Sequence, residues 1–125
     1  METEKLKTIL IVDDDAQLRL LIVEFLESIG YSTIEANTGQ AALEILPNRE
    51  VDLVICDIRM PIMSGVKFLE TVKVVSPKPP IVMITGYAPS PRQRLSIKAM
   101  ADEFIAKPFT LKKLAEVVQS QFNKS

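Results

Sequence analysis

The run Val51-Asp52-Leu53-Val54-Ile55-Cys56-Asp57 is apolar at successive positions, not at alternate ones. A strand that is apolar on both faces is stable only inside a sheet covered on both sides, the situation of a central strand in a parallel sheet. The run delivers one carboxylate, Asp57, to its end, and Pro61 then stops regular structure. A carboxylate at the carboxyl end of such a strand lies in the crevice where open α/β sheets bind ligands. An aspartate after a strand is also a common turn residue, so the stretch alone leaves both readings open.

The rest of the chain repeats the pattern. Thr8-Ile9-Leu10-Ile11-Val12 reads as a buried strand running into Asp13-Asp14-Asp15. A helix follows from Ala16 to Ile29, with Asp15 as N-cap and Gly30 as its stop. Its core face is expected to carry Leu18, Ile22, Phe25, Leu26 and Ile29, which leaves Leu20 and Val23 off that face and Leu21 on its flank. Tyr31 to Ala36 alternates as a second strand nearer an edge, and Thr38 caps a short helix reaching Leu46 before Pro47. The loop Ile58 to Gly65 leads into a helix with Phe68, Leu69 and Val72 inward. Ser76-Pro77-Lys78-Pro79-Pro80 is a rigid connector, and Ile81 to Ile84 is a fourth strand ending at Thr85-Gly86. Pro89 and Pro91 delay the next helix to Pro91 or Arg92 through Met100, with Ser90 as cap. Glu103 to Ala106 is a short fifth strand ending at Lys107-Pro108. The last helix starts after Thr110 and is expected to bury Leu111, Leu114, Val118 and Phe122.

Strand and helix thus alternate five times, without repeats or a linker. Such alternation implies a parallel sheet with helices on both faces and right-handed crossovers. The expected architecture is an open, flavodoxin-like (βα)5 sheet of order 2-1-3-4-5, its switch point between the first and third strands. At 125 residues the chain is read as one domain spanning 1–125.

Composition narrows the function. Fifteen basic residues against 16 acidic ones give a net charge of −1, so no global field favours direct nucleic-acid binding or an anionic membrane. No apolar run approaches a membrane span, and the charged start lacks a signal-peptide core; the expected location is cytoplasmic. With no histidine and one cysteine, zinc sites and histidine-based triads are excluded, and any metal must be held by oxygen. Cys56, single and inside a strand, reads as a small core residue.

In a parallel sheet all carboxyl ends share one rim. The ends here carry Asp13 and Asp14, then Asp57, Thr85 and Lys107. Three aspartates with ordinary acidity are ionised at pH 7, and two such charges about 4 Å apart repel by roughly 4 kcal/mol at an effective dielectric near 20. A hard divalent cation offsets that, and Mg²⁺, or Mn²⁺ in its place, accepts a few carboxylates while keeping several waters. An acidic metal site beside a lysine and a threonine suits a phosphoryl group.

Ile11-Val12-Asp13-Asp14, Asp57 through Gly65, Ile84-Thr85-Gly86 and Lys107-Pro108-Phe109 resemble the receiver domain of two-component response regulators. The resemblance covers essentially the whole chain in order and spacing. It implies that Asp57 accepts a phosphoryl group from a phosphohistidine on a sensor histidine kinase or phosphotransfer protein. It implies that Asp13, Asp14, Asp57 and the backbone carbonyl of Arg59 hold Mg²⁺, and that Lys107 and Thr85 contact phosphoryl oxygens. Phe104 matches the aromatic switch position that turns inward as Thr85 moves, altering the surface of the fourth helix, fifth strand and fifth helix for a downstream protein partner. Lys107-Pro108 matches the family's cis peptide. Met100 stands where glycine is frequent, Phe104 lacks the hydroxyl of the commoner tyrosine, and Arg59 and Tyr87 occupy variable positions flanking the site. The first helix of receivers lies against the bundle presenting the phosphohistidine, which assigns Leu20, Leu21 and Val23 to the partner surface.

Two other readings use the same residues. A haloacid-dehalogenase-like phosphatase also employs Asp and Mg²⁺, but its Asp-x-Asp-x-Thr or Val run would end at Gln17 in Asp13-Asp14-Asp15-Ala16-Gln17, and the chain has no room for a cap domain. A degenerate receiver serving only as a scaffold would not need the intact acidic pair with Asp57, Thr85 and Lys107. No effector domain is read in this sequence.

Overall fold

The computed structural model describes residues 6–57, 62–86 and 90–124. Its elements are β1 (Thr8–Asp13), α1 (Ala16–Ser28), β2 (Ser32–Ala36), α2 (Gly39–Ile45), β3 (Leu53–Asp57), α3 (Ile62–Val75), β4 (Ile81–Thr85), α4 (Pro91–Met100), β5 (Glu103–Ala106) and α5 (Leu111–Phe122). The strands form one parallel sheet in the order β2-β1-β3-β4-β5. This is the flavodoxin-like arrangement expected from the alternation of elements.

Successive strand residues point to opposite faces, and both faces are filled. Leu10, Val12, Val54, Cys56, Ile81 and Met83 pack with Ala42, Leu46, Phe68, Leu69 and Val72 of α2, its following turn and α3. Ile9, Ile11, Leu53, Ile55, Val82 and Ile84 pack with Ile22, Val23 and Leu26 of α1 and Leu114, Val117 and Val118 of α5. The central strands therefore read as continuous apolar runs because each parity has its own helix layer.

Local chemistry fixes the helix ends. The Asp15 carboxylate accepts from the backbone N–H groups of Gln17 and Leu18 at 3.0 and 3.2 Å, satisfying donors the first turn cannot. Thr38 and Thr110 cap α2 and α5 in the same way. Gly30, at φ 103°, takes the left-handed conformation that ends α1. On the opposite edge from the strand ends, the Asp52 carboxylate accepts from the Thr8 N–H at 2.7 Å and Asp102 from the Ile81 N–H at 2.8 Å. These carboxylates close the ladder where β1 and β4 begin.

The structure corrects two expected faces. Val23 is buried at 6% exposure, whereas Ile29 is 40% exposed. At 100° per residue, the buried arc Ile22–Leu26–Val23 lies about 60° around the helix from the expected face. The roll follows from packing: α1 lies against β2 as well as β1. Val23 thus leaves the expected partner surface, while Leu20 and Leu21 remain exposed at 52% and 49%. On α5, Val117 and Gln121 are buried with Leu114 and Val118. Phe122 is only half-buried: it meets the Tyr31 ring at 5.4 Å, with the Lys7 ammonium 5.8 Å from its centroid. Arg59, Tyr87 and Pro89 lie outside the described residues. No helix among the described residues is long and apolar enough to cross a membrane.

The roll of α1 is testable by truncation. Val23→Ala should cost about 2 kcal/mol, the transfer of two methyl groups plus the void they leave. Leu20→Ala should stay within about 0.5 kcal/mol. Urea unfolding midpoints at constant slope measure both; equal losses would place the two residues in equivalent surroundings.

Candidate functional site at the carboxyl edge of the sheet

β1 and β3 are neighbours in register, and their last pair is Asp13 opposite Asp57. Adjacent strands stand about 4.8 Å apart, and the two residues share the parity of Ile9, Ile11, Leu53 and Ile55. Register and alternation together therefore set two carboxylates side by side. Both are buried, Asp13 at 1% and Asp57 at 2% exposure.

Their surroundings differ. Lys107 Nζ lies 2.9 Å from Asp57 Oδ2, reaching it from the end of β5. The backbone places the lysine: Thr85 pairs with Ala106 across β4 and β5, and the Lys107 N–H donates to the Thr85 carbonyl at 2.8 Å. Thr85 itself is buried at the end of β4. The Lys107-Pro108 peptide is cis, as the resemblance implied.

Asp13 has one satisfied and one bare oxygen. Oδ1 accepts from the Asp15 N–H at 2.8 Å, while Oδ2 is buried with no hydrogen-bond partner. Burial is the main force raising the Asp13 pKa to about 6; the Asp57 charge, and more weakly Asp15, add to it. The Asp15 N–H and the Lys107 charge oppose the rise. Asp13 is therefore less acidic than the ordinary value the sequence suggested, though still mostly ionised at pH 7. Burial beside the two carboxylates also pushes the Cys56 thiol pKa far up, consistent with an inert core residue.

Asp14 is exposed. Among the described residues no three Asp, Glu, His or Cys side chains are gathered as a metal would require, so the expected three-acid cluster is here a buried pair with Asp14 outside it. The pair nevertheless fits a hard cation: one buried carboxylate oxygen lacks any partner, and Mg²⁺ needs only one or two carboxylates with waters completing its shell.

Beside the pair is a mainly apolar pocket of about 430 Å³ lined by Leu18, Leu21, Gly86, Lys107, Pro108, Phe109 and Leu111. Phe104 lies farther along β5, opposite Met83, half-buried against the α2/α3 layer. A second pocket of about 280 Å³ adjoins it, lined also by Lys98, Ala101, Asp102 and Glu103.

Sequence reasoning missed Arg19. Its Nη1 donates to the Asp13 carbonyl at 2.7 Å and its Nε to Glu35 Oε1 at 2.9 Å. The available signal was spacing, since Arg19 precedes Ile22, Val23 and Leu26 by three, four and seven residues.

The family model described as the response regulator receiver domain matches residues 9–119. The chain is 35% identical over 118 residues to the autoinducer 1 sensor kinase/phosphatase LuxN of Vibrio campbellii, covering 94% of this chain and 14% of that protein. It is 33% identical over 111 residues to the regulatory protein AtoC of Escherichia coli, covering 89% of this chain and 24% of that one. The chain thus spans well under two thirds of either relative. A receiver domain protein of Methanospirillum hungatei superposes with a TM-score of 0.84 at 34% identity over 93% of each chain. The chemotaxis protein CheY4 of Vibrio cholerae superposes with a TM-score of 0.83 at 29% identity, covering 94% of this chain and 99% of that one.

The raised Asp13 pKa predicts a pH dependence. A carboxyl whose folded pKa lies above its unfolded value stabilises the fold below the unfolded value and loses that contribution as pH rises through the folded one. For Asp13 the window runs from 3.8 to about 6, an effect on the order of 3 kcal/mol. In a chelator, Asp13→Asn should therefore gain stability relative to the parent protein between pH 4 and 6, and the gain should level off above. Denaturant unfolding across that range measures it; a pH-independent difference would show that Asp13 titrates normally.

Proposed function

The chain belongs to the response regulator receiver domain family, the regulatory phosphoacceptor domains of two-component systems that act between histidine kinases and downstream effectors, and from that premise we propose that Asp57 is its phosphoacceptor. The observation that carries the proposal is the ion pair of buried Asp57 with the partly exposed Lys107 at 2.9 Å, beside Asp13 on the same rim. A carboxylate oxygen of Asp57 attacks phosphorus on the donor's phosphohistidine. The new P–O bond forms as the P–N bond breaks, and the electron pair returns to the imidazole nitrogen, which takes a proton.

Lys107 holds positive charge against the acceptor and, during transfer, against a phosphoryl oxygen, where fixed charge is most effective. Thr85 offers its hydroxyl to a second oxygen. Asp13 and Asp57, with Asp14 and the Arg59 carbonyl, would hold Mg²⁺. The bound ion supplies charge that offsets both the carboxylates and the phosphoryl oxygens. Water attack on phosphorus later restores the Asp57 carboxylate and releases phosphate. The signal passes through Phe104, whose half-buried ring has space beside it, to the surface of α4, β5 and α5 and a downstream protein. A cytoplasmic setting is the one in which a sensor kinase's phosphohistidine is presented.

The donor docks on the pocket beside the pair. Leu21 is exposed on its rim and Leu18, Pro108, Phe109 and Leu111 line it, so an apolar helical surface seated there brings phosphorus in line with Asp57. Positioning of this kind supplies much of phosphoryl-transfer catalysis. Leu20 extends the apolar surface along α1.

One experiment with two donors tests both parts. The parent protein should gain one phosphate by intact mass with acetyl phosphate and Mg²⁺, and Asp57→Asn should gain none. Leu21→Ser should accept from acetyl phosphate at the parent rate but from the cognate phosphohistidine protein at least about tenfold more slowly, about 1.4 kcal/mol of lost positioning. A full adduct on Asp57→Asn refutes the acceptor. Equal slowing of Leu21→Ser with both donors refutes the docking surface.

A further inference from the structure

Arg19 is a cation seated in an apolar stripe. It shares the helix face of Ile22, Val23 and Leu26, all buried, and its own side chain is only 18% exposed. A charge so placed is costly unless its donors are met. Both ends of the guanidinium are met, Nη1 by the Asp13 carbonyl at 2.7 Å and Nε by Glu35 Oε1 at 2.9 Å.

The two partners belong to different strands. Pairing of β1 with β2 ends at Val12 opposite Ala36, so the Asp13 carbonyl stands one residue beyond the ladder and Glu35 one residue before its end. The Arg19 backbone N–H also donates to the Asp15 carbonyl at 2.9 Å. Arg19 therefore grips both ends of the segment Asp13–Asp15, and its Nε ties that segment to β2.

We propose that Arg19 is a positioning residue for the divalent cation. Holding the Asp13 carbonyl against β2 through Glu35 fixes where the Asp13 and Asp14 carboxylates stand, and so sets the affinity of the rim for Mg²⁺. The proposal rests on the reading of this rim as a Mg²⁺-dependent phosphoacceptor site. A planar guanidinium presents Nε and Nη1 at a fixed spacing, which the single ammonium of lysine does not reproduce. Glu35 balances the guanidinium charge, so the pair orients the segment more than it neutralises it.

The test is calorimetric titration of Mg²⁺ into the intact protein and into Arg19→Lys and Glu35→Gln. Melting temperature and the Mg²⁺ dependence of phosphorylation by acetyl phosphate are measured alongside. Arg19→Lys should raise the Mg²⁺ Kd about tenfold, the usual effect of losing a group that orients a ligand. Half-saturating Mg²⁺ for phosphorylation should rise by the same factor, with the rate at saturating Mg²⁺ preserved. Glu35→Gln should shift both in the same direction by less. A lowered melting temperature with unchanged Kd overturns the proposal, because it marks a purely structural residue. If Arg19→Lys does not fold, Glu35→Gln decides by the same criterion. A shifted Kd in a protein that acetyl phosphate does not label keeps Arg19 as a positioning residue and removes the phosphoacceptor reading. Absence of Mg²⁺ binding by the parent protein overturns the positioning proposal itself.

Discussion

The pairing of Asp13 with Asp57 across β1 and β3 is the constraint the site depends on. Parallel register does not let the two carboxylates part, and burial denies them water. Two like charges in that setting are costly. Three features of the structure bear on the cost: the Lys107 ammonium on Asp57, the Asp15 N–H on Asp13, and the raised Asp13 pKa. The oxygen of Asp13 left without a partner is where the compensation is incomplete, and it is the feature that most favours a bound cation.

The remaining elements hold this pair in place. Two apolar layers, one on each face, clamp the central strands so that their register does not slip. Capping by Asp15 starts α1 immediately after the acidic run, which lets Arg19 fold back on the Asp13 carbonyl. The β4–β5 ladder brings Thr85 and Lys107 to the same rim. Asp13, Asp57, Thr85 and Lys107 arrive by backbone pairing, so their meeting is a direct consequence of strand order.

The fold was legible in the sequence because its signals are local. Continuous apolar runs mark β1, β3 and β4, and Asp15, Thr38 and Thr110 announce the helices they cap. Asp57, Thr85 and Lys107 were readable because strand ends in a parallel sheet converge. Tertiary packing hid the rest. Val23 follows the roll of α1 toward β2, and Gln121 is buried on the α5 face of Leu114, Val117 and Val118 while Phe122 meets Tyr31 at its flank. Asp14 next to Asp13 looked equivalent in sequence, but neighbouring residues at a strand end face different surroundings, one buried and one exposed. Arg19 was missed because its two partners lie on separate strands and are brought to it only by the fold.

The central claim is that phosphoryl transfer ends on the carboxylate paired with Lys107. Borohydride reduces an acyl phosphate to the alcohol, turning a phosphorylated aspartate into homoserine. Peptide mass mapping after phosphorylation and borohydride treatment of the unaltered protein identifies that residue directly. The account predicts homoserine at position 57 alone. Homoserine at position 13 or 14, or none while the protein carries phosphate, would contradict it.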